Sequence, residues 1–145
     1  MTPCDRIAVN EPARRPDRYR TRLADAASQE LRGGEQVVGM LPFATVPKRP
    51  KGPEGKIHDG IYQSQRRYRP LVVTDHRLLV FEAGRTPYPR TLLADFPLRE
   101  VAMTDPEPGR MGIIHFTVSF PSEGDVPFEV GRRDDVDALR AAVSD

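Results

Sequence analysis

The residues best suited to chemistry in this chain are cationic and close together. Residues 47–69 carry Lys48, Arg49, Lys51, Lys56, Arg66, Arg67 and Arg69 against only Glu54 and Asp59. Arg67 and Arg69 stand two apart, so on an extended strand both side chains leave the same face and offer two guanidinium forks to one phosphate cluster. Lys56 would close over that cluster from the loop, with Lys48, Arg49 and Lys51 farther out among Pro47, Pro50, Gly52, Pro53 and Gly55. The expected chemistry is reversible anion capture, each cation near an anionic surface contributing roughly 1 kcal/mol that salt screens. Lys56, Arg67, Arg69, Lys48, Arg49 and Lys51 are therefore the candidate ligand-binding residues.

Other reactive types do not assemble into a site. His58, His76 and His115 fall in a loop, a turn and an outward strand position, without the His-x-x-x-His spacing that puts two ligands on one helix face, so no metal site is expected. Cys4 is the single cysteine, which excludes an intrachain disulfide and reads as a bystander thiol. Asp134, Asp135 and Asp137 read as the acidic start of a helix. With no Gly-x-Ser-x-Gly elbow, phosphate loop or dinucleotide fingerprint, neither a cofactor nor enzymatic activity is expected. Tyr68 among three arginines hints at nucleic acid, but one ring is no stacking platform and residues 70–145 are net acidic, so that partner ranks last.

The positioning elements follow from pattern. At 145 residues one domain is expected, and 15 Pro with 11 Gly favour short strands and turns over a helical bundle. The longest apolar run, Leu78 to Phe81, is far short of the roughly 20 residues of a membrane span, and of a secretory segment, so a cytoplasmic protein is expected. Residues 1–16 read as a disordered tail. A helix is expected over 17–32, ended by Gly33-Gly34, with Tyr19, Leu23, Ala27 and Leu31 on the face that packs against the body. Period-two alternation begins at Val37, with Pro42 as a bulge or edge marker. Leu71–Thr74 and Arg77–Phe81 flank an Asp75-His76 turn and predict a β-hairpin. Residues 91–96 allow a short strand or turn, and Leu98, Val101 and Met103 mark another short strand. Strict alternation of Ile114, Phe116, Val118 and Phe120 gives a half-buried strand returning through Val126, Phe128 and Val130, before a final helix carrying Val136, Leu139 and Val143. Phe116, Phe128 and Leu139 are expected in the core.

This order is a mainly β (α+β) fold: a bent antiparallel sheet or partly open barrel of about six or seven strands, capped by a C-terminal helix and preceded by a helical extension. The segments Gly34-Glu35-Gln36-Val37-Val38, Leu71-Val72-Val73-Thr74-Asp75-His76-Arg77-Leu78-Leu79-Val80-Phe81, Phe96-Pro97-Leu98-Arg99-Glu100-Val101 and Phe128-Glu129-Val130 resemble bacterial PH-like and GRAM-like domains of the pleckstrin-homology-like superfold. The resemblance spans residues 34–145, with 17–33 as the added helix. It implies a non-catalytic binding or adaptor module, foremost for a protein partner. Alternatively, Lys56, Arg67 and Arg69 resemble the Lys-x(n)-Lys/Arg-x-Arg arrangement of headgroup-binding PH domains, which implies peripheral attachment to an anionic membrane at the inner face.

Overall fold

The computed structural model describes residues 15–47, 61, 66–121, 123–131 and 134–144. In chain order these form α1 (Arg15–Ser28), β1 (Val37–Leu41), β2 (Thr45–Val46), β3 (Arg67–Tyr68), β4 (Leu71–Thr74), β5 (Arg77–Phe81), β6 (Leu92–Pro97), β7 (Ala102–Met103), β8 (Glu107–Pro108), β9 (Ile114–Phe120), β10 (Gly124–Val130) and α2 (Val136–Ser144). One antiparallel sheet runs β1-β4-β5-β6 and the other β3-β2-β10-β9-β7, with β8 beside β9. The sheets are not closed into a barrel. The strand count exceeds six or seven because continuous stretches are broken at bends and Glu107–Pro108 adds a short strand beside β9. Pro42 and Phe43 turn the chain from β1 into β2, and Arg69 and Pro70 turn it from β3 into β4, so one strand pair enters both sheets. An Arg69 N–H to Ala44 carbonyl bond (2.8 Å) joins the two bends.

The expected hairpin forms, Val73 pairing with Leu78, Val72 with Leu79 and Leu71 with Val80. Thr74 closes its turn, Oγ1 accepting from the N–H groups of His76 (3.1 Å) and Arg77 (2.9 Å). β4 and β5 are buried on both faces, which is why they read as unbroken apolar runs and not as alternation. Leu71, Val73, Leu78 and Val80 point between the sheets, where they meet Phe96, Phe116, Phe120, Phe128 and Leu139. Val72, Leu79 and Phe81 point outward and are covered by Leu23 and Ala27 of α1. Phe116 stacks on Phe128 at 5.7 Å between ring centres, and α2 seats Leu139 fully inside. His115 lies on the outward face, as expected.

Three expectations are corrected. The first helix begins at Arg15 and ends at Ser28, not at Arg32. A buried ion network draws the following residues off the helical path: Glu35 accepts from Arg77 Nε (2.8 Å), Arg77 Nη2 (2.9 Å), Thr74 Oγ1 (2.6 Å) and the Arg32 N–H (3.0 Å), while the Glu30 carbonyl also accepts from Arg77. Residues 98–103 are a 3-10 turn at Leu98–Glu100 followed by a two-residue strand, not one strand. Asp134 and Asp135 aim their carboxylates away from α2. Asp134 accepts from the N–H groups of Phe43 and Gly131, both at 3.0 Å, and Asp135 from the Met40 N–H (2.9 Å) and from Arg20 of α1. These aspartates bind the start of α2 to the β1–β2 bend and to α1. Of the expected tail, residues 1–14 lie outside the described residues, while residues 15 and 16 belong to α1.

Candidate functional site

The loop between β5 and β6 is short and braced. Its neck is closed by the Glu82 N–H donating to Thr91 (2.8 Å) and the Arg90 N–H donating to Glu82 (2.7 Å). Its far side is held by α1, where Tyr88 meets Tyr19 edge-on at 4.8 Å and Arg22 lies 5.3 Å above the Tyr88 ring. Tyr19 in turn meets Phe43 at 5.5 Å, which anchors the helix at the bend. Gly84 has a steric role: a side-chain carbon there would stand 3.2 Å from Arg90 Nη2. Its absence lets that guanidinium lie over the backbone.

On the open side of this loop is a cleft of about 550 Å³ lined by Arg67, Arg69, Glu82, Ala83, Gly84, Arg85, Thr86 and Arg90. Four guanidiniums face one carboxylate. Arg85 and Arg90 are exposed and form no ion pair among the described residues. Arg67 is half-buried, its Nη1 donating to the Arg66 carbonyl (3.2 Å).

Arg67 and Arg69 do line one cavity, but not as parallel forks. Arg69 is only 1% exposed, with Nε donating to Ile61 (3.3 Å) and Nη1 to the carbonyls of Tyr68 (3.1 Å) and Ala83 (3.3 Å). The reason is the bend: β3 ends at Tyr68, and the chain turns inward before β4 begins. Burial pushes the Arg69 guanidinium below the ordinary arginine value, opposed by the charge of Glu82. Arg69 is thus a brace whose charge reaches the cleft. Lys48, Arg49, Lys51 and Lys56 lie outside the described residues, as do His58 and Cys4.

Sequence reasoning missed Glu82, Arg85 and Arg90. The signal for Glu82 was present, since the Asp75-His76 turn fixes a register in which residue 71 faces 80 and, two steps on, 69 faces 82. Arg85 and Arg90 sit in a proline-broken loop with no period to place them. Arg66 turns to Glu129 on the outer face of the second sheet.

Elsewhere, a groove of about 570 Å³ runs along Val38, Thr74, Asp75, Leu98, Arg99, Ala138, Ala141 and Ala142, where Val38 is 50% exposed. Among the described residues no three His, Cys, Asp or Glu side chains gather to hold a metal, and no helix is long and apolar enough to cross a membrane. His76 lies 3.8 Å from Asp75 as an exposed pair, and His115 lies 3.7 Å from the partly buried Glu129. Comparison with protein-family models and with curated proteins gave no match to this chain.

Proposed function

We propose that this chain is a non-catalytic binding module of PH-like type that captures a phosphate-bearing anion in the arginine-lined cleft. The PH-like part rests on the two bent antiparallel sheets, the C-terminal helix seated against their core and the residues that resemble such domains. The ligand reading is carried by one observation: Arg67, Arg69, Arg85 and Arg90 converge on a cavity with Glu82 as its only acidic wall among the described residues. Guanidiniums offer planar pairs of donors that match phosphate oxygens, and charge focused in a concave site attracts anions more strongly than the same charge spread on a surface. A near-neutral molecule that concentrates cations in one cleft has a local site, not a general affinity for polyanions such as nucleic acid.

A protein partner, foremost in the sequence reading, is here the second reading, favoured by the half-exposed Val38 and the alanine-lined groove beside α2. The two readings separate in calorimetric titration of the full chain with inorganic pyrophosphate. The anion reading expects binding that weakens steeply as salt rises from about 0.1 M to about 1 M and the screening length shrinks from ~10 Å to ~3 Å. It also expects an Arg85→Ala/Arg90→Ala variant to lose that binding while Val38→Asp keeps it. Binding absent at every salt concentration, or untouched by the arginine changes, overturns it. Turnover in a hydrolase and transferase screen that one point substitution abolishes would overturn the non-catalytic part.

A further inference from the structure

We propose that the cleft selects phosphate monoesters over phosphodiesters, an inference that rests on the anion-binding reading above. Four guanidiniums less the Glu82 carboxylate leave the lining strongly positive. A monoester carries about −1.5 to −2 at pH 7 and three free oxygens. A diester carries a single charge on two free oxygens, so it returns fewer charge-assisted bonds to the same donors and less Coulomb attraction.

The build of the cleft points the same way. Arg69 is buried and tied to three backbone carbonyls, none of which neutralises its charge. Among the described residues no carboxylate lies within ion-pair distance of it, and Glu82 acts on it only from farther away. A dianion in the cleft would add a countercharge to it. Arg85 and Arg90 stand on the loop closed at Glu82 and line the same cleft as Arg67 and the braced Arg69. The volume of about 550 Å³ exceeds what a bare phosphate fills, and Glu82 and Thr86 offer acceptors to hydroxyl groups of the single carrier.

Glu82 is the only carboxylate among the described residues lining the cleft. Titration of the ligand then dominates the pH dependence. The second pKa of a monoester lies near 6, so its dianion fraction rises roughly tenfold from about pH 5 to about pH 7. Sulfate keeps its charge over that interval and reports any contribution of Glu82.

The test titrates the full chain with glycerol 3-phosphate, diethyl phosphate and sulfate at about pH 5 and about pH 7, beside sedimentation with phosphatidic acid and phosphatidylglycerol vesicles. Expected at neutral pH is glycerol 3-phosphate binding at least about tenfold tighter than diethyl phosphate. That advantage should collapse at the lower pH while sulfate stays flat, and it should vanish in Arg85→Ala/Arg90→Ala. Preference for phosphatidic acid vesicles without soluble binding supports the proposal with a lipid source, and soluble binding alone supports it with a free ester. Equal, salt-sensitive binding of monoester and diester overturns the selectivity and leaves the anion site standing. No binding of any anion overturns both.

Discussion

Two buried arginines show how one residue type serves different ends. Arg77 is matched by Glu35 and Asp95, bonds that raise its pKa further above the ordinary arginine range, and it locks the end of α1 onto the hairpin. Among the described residues Arg69 bonds only to carbonyls, so it braces two bends while its charge reaches the cleft. Arg69→Ala should therefore destabilise by about 2–4 kcal/mol in urea unfolding, because it strands three buried carbonyl contacts, whereas Arg85→Ala should stay within about 0.5 kcal/mol. Equal costs would mean that Arg69 is not a brace.

Two carboxylates give opposite pH dependence. The hydrogen bonds from Arg77 hold Glu35 down at about 2 against an ordinary 4.5, so its stabilisation is complete above about pH 4.5 and is lost as pH falls through about 2. Burial pushes Asp134 up to about 6 from 3.8, against the two N–H bonds that favour its ionised form. Its stabilising share is complete below about pH 3.8 and is lost as pH rises through about 6. Asp134→Asn should flatten the stability profile between those limits, and unchanged slopes in wild type and variant would contradict the assignment.

At the scale of elements, both faces of the β4–β5 hairpin are structural, which gives α1 the weight of a core element. Leu23→Ala should cost about 2–5 kcal/mol, as Phe116→Ala or Leu139→Ala should, while His115→Ala should cost about 0.5 kcal/mol or less. A Leu23 variant as stable as wild type would make α1 an ornament. Gly39 lies against α2, a side-chain carbon there falling 2.6 Å from Ala138 Cβ, so Gly39→Ala should lose about 1–3 kcal/mol by overpacking. The hairpin, the β9–β10 pair, the outward His115 and the buried Phe116, Phe128 and Leu139 were legible because local period and turn chemistry specify them. The bends at Pro42 and Arg69 were less so, since what divides one strand between two sheets is the partner on each side, information that no short window holds. The same bend hid Arg69 in the interior. The end of α1 was misread because a pairing with Arg77, 42 residues beyond Glu35, overrides local helix preference.

At the scale of the molecule, the helical extension is coupled to the cleft. α1 carries Tyr19 and Arg22, which fix Tyr88, and Tyr88 belongs to the loop that bears Arg85 and Arg90. Tyr88→Ala should weaken anion binding several-fold although its ring is not part of the cleft lining, and an unchanged affinity would uncouple the helix from the site. The most direct measurement of the central claim is an amide chemical-shift titration of the full chain with inorganic phosphate. The account predicts saturable shifts centred on Arg67, Arg69 and Glu82–Arg90, with the arginine side-chain N–H signals of the cleft moving in step. Shifts centred instead on Val38, Leu98 and Ala138, or no saturable shifts at low salt, would contradict it.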